Sequence, residues 1–331
     1  MSLAELIGNT RVKATLASYL RNERVPSSLI FTGSDPYMQL RFAVNFAKSL
    51  NCREKANDAC DRCSHCLAID RNLFPDVQVL APEGQFYRKS QMDDLIETAS
   101  RRPLQAEKKV FILKDAQCLN DTAANSFLKT LEEPLPSNVF ILLAANLTLI
   151  LPTIQSRCQI LKFLPLSKDE IALELKQRGI DPNKSRLLAF FSSGSLENAD
   201  EVDWQELEAK RAAMLSILDR LLRQSAVEDI LLDLYDRSRS RDSFIDYFRE
   251  MVNLISVLLR DIMVLLVDPE SGTLINSDYK EKLMELAALT NMDKVFFLLR
   301  KMEYLLRDIQ RNLNARVLVL EFINSYAAQG M

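Results

Sequence analysis

Four short apolar runs limit what this chain can become. They are Ser28 to Thr32, DVQVLAP from Asp76, KKVFILKDA from Lys108 and NVFILLAAN from Asn138. Their apolar residues follow one another instead of alternating with polar ones, the pattern of strands covered on both faces. Before and between them lie segments with three- and four-residue apolar spacing: Thr10 to Arg21, Gln39 to Asn51, SQMDDLIETASRR and DTAANSFLKTLEEP. The last has Asn120 or Asp121 as its N-cap and Pro134 as its stop. Buried strands alternating with helices predict a mostly parallel α/β sheet, ending near Phe163.

After Pro165 the texture changes. Ser167 and Glu170 form a capping box, and short helical segments run to about Ala199. From Trp204 onward, amphipathic helices follow one another: AAMLSILDRLLRQ, DYFREMVNLISVLLRDIMVLL, DKVFFLLRKMEYLLRDIQRN and ARVLVLEFINSY. Their apolar stripes predict a packed bundle, and their basic residues do not gather on one face as in a membrane-surface helix. The expected limits are 1–163 for the α/β domain, 164–203 for a small helical domain and 204–331 for an all-α domain. At 331 residues the chain exceeds one ordinary core. Its 48% apolar and 26% charged content is that of a soluble globular protein. A net charge of −3 argues against a dedicated basic nucleic-acid binder. No apolar run approaches the roughly 18 to 20 residues of a membrane span. MSLAELIGNTRVK lacks the basic-then-apolar order of a signal peptide, so a cytoplasmic protein is expected.

Cys52, Cys60, Cys63 and Cys66 have the spacing C-x7-C-x2-C-x2-C. Four thiolates close a tetrahedral zinc site, with two-residue gaps aiming neighbouring sulfurs at one ion. Two disulfides, or three of these cysteines with His65, the only histidine, are the competing readings. A zinc held by four protein ligands has no open position and is structural. Cys118 and Cys158 lie in other motifs and read as structural.

FTGSDPYMQLRFA, from Phe31, stands where a strand, a glycine turn and a helix would build a phosphate loop. The pattern G-x-x-x-x-G-K-S/T laid on Gly33 puts Met38 at the second glycine, Gln39 at the lysine and Leu40 at the hydroxyl. Phosphoryl transfer needs that lysine, a hydroxyl and an acid for magnesium, and a residue to position water.

LIGNTRVKATLASYLRNERVPSSLIFTG, the four-cysteine insertion, FPDVQVLAPEG, the tract from Lys108 to Asn146 and LPTIQSRCQ together resemble the bacterial DNA polymerase III clamp-loader subunits. The match is dense from Leu3 to about Leu166, with weaker support from NLNARVLVLEFI. FLKTLEEP, from Phe127, and Ser156-Arg157-Cys158 are its most specific parts. The resemblance implies an α/β AAA+ (RecA-like) domain with a zinc-binding insertion at 52–66, a small helical lid and an all-α collar for oligomerisation. Mapped onto the family, the nucleotide site has further losses. The paired acids of the second strand motif become Lys114 and Asp115, the polar sensor becomes Ala144-Ala145 before Asn146, and Asn198 replaces a sensor arginine. Such a site is not expected to hydrolyse ATP, while weak nucleotide binding at the helix N-terminus stays open. The resemblance thus implies the family's delta-prime branch.

Arg157 resembles the finger that this family inserts into a neighbour's ATP site, with Ser156 orienting its turn and Cys158 packing beneath. A local cap or salt bridge is the plainer role. The resemblance implies ATPase subunits and a delta subunit as partners in a hetero-oligomer, with the sliding clamp and primed DNA reached through the complex. Arg101, Arg102, Lys108 and Lys109 read as solvated surface more readily than as a DNA contact. Two other functions compete: an active or nucleotide-switched AAA+ ATPase, and a zinc-dependent nucleic-acid binder, whose cysteine loop would need more than Arg53, Lys55 and Arg62 set against Glu54, Asp58 and Asp61.

Overall fold

The computed structural model describes residues 2–54, 57–223 and 241–310. ARVLVLEFINSY and NLNARVLVLEFI lie outside them. The chain divides into two compact units: Met1–Ile180 with Leu188–Asp200, and Asp181–Leu187 with Glu201–Met331.

The first unit is built on a five-stranded sheet in the order β2-β3-β4-β1-β5. The strands are β1 (Ser28–Thr32), β2 (Val77–Leu80), β3 (Lys109–Leu113), β4 (Asn138–Ala144) and β5 (Gln159–Lys162). Every pairing is parallel. β1, β3 and β4 are buried along their whole length, as their unbroken apolar runs require. The edge strand β5 is exposed at both ends. With four residues and little apolar content, it escapes the sequence reading altogether.

Helices α1 (Thr10–Arg21), α2 (Pro36–Asn51), α3 (Ser64–Asp70), α4 (Lys89–Ser100), α5 (Asp121–Glu132) and α6 (Pro152–Gln155) connect and flank the strands. Asn120 is the cap of α5, its side chain accepting from the Ala123 amide at 2.9 Å, and the helix stops two residues before Pro134. α7 (Lys168–Gln177) opens with the expected capping box of Ser167 and Glu170; α8 (Pro182–Phe191) and α9 (Leu196–Glu201) follow. Under the sheet, Phe163 lies 5.1 Å from Phe31 and 5.1 Å from Phe42, ring centre to ring centre. This cluster seats the end of β5 beneath α2.

The second unit is helical: α10 (Trp204–Leu222), α11 (Arg241–Val267), α12 (Lys280–Ala287) and α13 (Met292–Gln310). α11 packs against the other three. Its Asp261 is fully buried and accepts from the backbone amides of Ile275 and Asn276. Arg211 of α10, also buried, bonds Asn276 and Asp278 at 2.8–3.1 Å. Buried charge survives here because each group has a partner. No described helix is long and apolar enough to cross a membrane.

Candidate functional site

In open parallel sheets a ligand sits outside the carboxyl ends of the strands, where connections leave in opposite directions. Here that crevice lies between β1 and β4, with Thr32 in register with Ala144. The helix that borders it, α2, starts at Pro36, three residues before the expected Gln39. Pro36 takes the first helical position, where a missing N–H costs nothing. Asp35 is the cap, its carboxylate accepting from the Met38 amide at 3.0 Å. The loop from strand to helix is therefore only Gly33, Ser34 and Asp35.

This start places Met38, Gln39 and Leu40 inside the first turns of α2. Met38 is buried in the core, and Leu40 is half-buried. Gln39, at 1% exposure, donates its amide to the Gly33 carbonyl at 2.7 Å and to the Ala144 carbonyl at 3.3 Å. It thus ties the first turn of α2 to the ends of β1 and β4. Asp35 Oδ2 and Gln39 Oε1 are buried without a hydrogen-bond donor among the described residues. A phosphate loop offers N–H donors and an ammonium; here a buried neutral amide stands at the ammonium's position.

Gly33 itself is explained by packing. A Cβ there would lie 2.6 Å from the Phe163 carbonyl oxygen. Lys114 and Asp115 follow β3. The Lys114 amide bonds Leu80, and its carbonyl accepts the Tyr87 hydroxyl at 2.5 Å. Burial raises the Tyr87 phenol well above its ordinary range, with the Asp115 charge adding to it. Asp115 adopts the left-handed conformation at the head of a 3-10 turn. Gln39 and Lys114 are not hydrogen-bonded to each other, since the Gln39 amide goes to β1 and β4. Asn146 caps the turn at Leu147–Leu149 through the Thr148 amide. Asn198 bonds the Ser192 carbonyl in its own turn.

Arg157 leaves α6 and reaches the last residue of α5. Nε donates to Glu132 Oε1 at 2.8 Å, and Nη2 meets the same oxygen. Nη1 donates to the Thr153 carbonyl at 2.8 Å and to Ser156 Oγ at 3.0 Å. The two most specific motifs of the sequence, FLKTLEEP and Ser156-Arg157-Cys158, are joined by this ion pair. Ser156 donates in turn to the Thr153 carbonyl at 3.0 Å. Cys158 and Cys118 pack against the main core cluster. Burial pushes the Cys158 thiol up to about 12.

All six cysteines are free thiols. The sulfurs of Cys52, Cys60, Cys63 and Cys66 lie within 4.8 Å of one another. Tetrahedral zinc at about 2.3 Å from each sulfur needs sulfurs roughly 3.8 Å apart, so this donor set fits such an ion with small closure. The Cys63 amide points at Cys60 Sγ at 3.4 Å, and the Cys66 amide at Cys63 Sγ at 3.5 Å. Burial alone would raise the Cys63 thiol, but the Cys66 and Arg53 backbone donors outweigh it and hold it at about 6. His65 is occupied elsewhere: Nδ1 lies 2.9 Å from the Asn51 carbonyl, and the ring packs on Phe74.

The cluster is mounted on α2 through Lys48. This lysine, 1% exposed in α2, pairs with Asp61 of the cysteine loop and, at 2.9 Å, with Asp70 of α3. Arg53 donates to His65 at 3.1 Å, and Arg62 pairs with Glu54 at 3.4 Å. The described cations around the cysteines are thus spent inside the loop. The supposed basic surface is also partly internal. Lys109 is buried and donates to the carbonyls of Thr98, Arg101 and Arg102, closing the end of α4. Lys108 donates to the Pro136 carbonyl at 2.7 Å, and Arg101 pairs with Glu97.

The family model described as DNA polymerase III, delta subunit, matches residues 8–167. The Bacillus subtilis DNA polymerase III subunit delta prime is 27% identical over 266 residues, 78% of each chain. The Pseudomonas aeruginosa subunit of the same name is 30% identical over 200 residues, 59% of this chain and 61% of that one. The gamma/tau subunit of Mycoplasma genitalium is 27% identical over 297 residues, 88% of this chain and 47% of that one. The segment that carries both Gly33 and Arg157 is the segment matched, and over it the chain is similar to the DNA polymerase III delta-subunit family and to the bacterial delta-prime subunits.

Proposed function

We propose that the chain is a non-catalytic subunit of the DNA polymerase III clamp loader. It completes a neighbouring subunit's ATP site in trans through Arg157 and helps load the sliding clamp onto primed DNA. The observation that carries the reading is Gln39 in the lysine's position, buried and bonded to the carbonyls of Gly33 and Ala144. A neutral amide turned into the protein there supplies none of the positive charge with which an ATPase holds phosphate. Similarity to gamma/tau subunits raises the alternative of an active ATPase, but the neutral amide at this site opposes it.

In this reading the parallel α/β domain is the AAA+ scaffold and the segment near 164–203 its lid. The helices from Trp204 are the collar that joins ATPase and delta subunits in a hetero-oligomer. Cys52, Cys60, Cys63 and Cys66 hold a structural zinc, which would tie the insertion at 52–66 together and leave no coordination position for chemistry. Arg157 supplies a planar, permanent charge to a phosphoryl group on the adjacent subunit.

Two measurements test this. A MgATP titration of the isolated chain should show neither binding nor turnover. In the reconstituted complex, Arg157→Ala should lower DNA-stimulated ATPase while the chain melts at the parent temperature; an unchanged rate would remove the finger assignment.

A further inference from the structure

A guanidinium has five N–H donors. Arg157 makes four hydrogen bonds, all to its own chain. Nε and Nη2 form the parallel pair that can fork a carboxylate or a phosphate, and a single oxygen of Glu132, Oε1, takes both. Nη1 is held on the far side by Thr153 and Ser156. In this arrangement the finger has no fork to offer a neighbour.

We propose that Glu132 is a latch: it parks Arg157 on its own chain until a phosphoryl group bound to the adjacent subunit displaces the carboxylate. The inference rests on the reading of Arg157 given under Proposed function. A phosphate can offer two oxygens to these two N–H groups where Glu132 offers one, and it carries more charge, so it competes for them on better terms. Glu132 is also misplaced for helix stability. It is the last residue of α5, where the helix dipole disfavours an acid. The side chains are 32% and 47% exposed, so solvent screens the pair and the hold is weak. A hold of that size biases the finger without locking it.

The test uses the reconstituted clamp-loader complex at saturating MgATP without DNA. Glu132→Gln keeps the shape and removes the charge. It should raise the ATPase rate about two- to fivefold, the range a partly exposed pair can supply. Glu132→Asp, which keeps the charge, should return the rate toward the parent. Arg157→Ala combined with Glu132→Gln should show no rise. Thermal melts of all variants should match the parent, since both residues lie at the surface. A lower rate with Glu132→Gln would mean that the carboxylate supports the finger, and an unchanged rate that it exerts no hold; either overturns the latch. If Arg157→Ala alone leaves the rate unchanged, the finger reading fails, and the latch with it. Failure of the latch alone shows as an effect of Arg157→Ala with none, or a decrease, from Glu132→Gln.

Discussion

At Gly33, any side chain would push into the Phe163 carbonyl, 2.6 Å from the added carbon. The obstacle is backbone at the end of β5 and cannot swing away. Gly33→Ala should therefore destabilise the first unit by about 1–3 kcal/mol, read as a lower urea midpoint with unchanged slope. A loss near zero would mean that β5 moves aside. The glycine that suggested a phosphate loop is thus required by packing. Cys158 offers a second residue-level check. With its thiol raised to about 12 by burial, only on the order of 10⁻⁴ of it is thiolate at pH 8. Iodoacetamide should leave it unmodified in the native protein and label it once urea unfolds the chain, as followed by mass spectrometry. Rapid native labelling would contradict the burial. Neither Phe163 nor Glu132 announces its role in the sequence, because Phe163 meets Gly33, and Glu132 meets Arg157, only after the sheet has formed.

Among the elements, α2 shows how apolar periodicity hides a local signal. Asp35 followed by Pro36 is a cap and a first-turn proline, which together mark a helix start. Apolar periodicity alone starts the helix at Gln39, because Pro36, Tyr37 and Met38 lie in its first turn. The cap should be measurable: Asp35→Ala should cost about 1 kcal/mol in urea unfolding, and no loss would mean that Pro36 alone nucleates the helix. Other elements were legible because their chemistry is local. α1 has the expected limits Thr10–Arg21, β1 the limits Ser28–Thr32, and α5 ends before Pro134. β5 was not legible, since four residues with one buried side chain carry no periodicity. Lys109 misled in the other direction: a lysine beside a lysine looks like surface, yet its ammonium closes the end of α4.

For the whole molecule, the cysteine insertion and α2 are coupled through the buried Lys48 and its two aspartates. If the four thiols hold the proposed zinc, a chelator should speed amide exchange across 52–70 and the end of α2, while the helices from Trp204 keep their protection. Equal exchange before and after chelation would deny the metal a structural role. Periodicity, caps and the spacing of four cysteines were enough to specify a parallel α/β domain, helices after it and a metal-competent loop, because these depend on residues close in the chain. The bonding of Gln39 to Gly33 and Ala144 and the pairing of Arg157 with Glu132 were decided only by the fold. Both depend on groups from different elements meeting at hydrogen-bond range, and no local pattern encodes which partner a polar side chain will find once the strands have set its neighbours.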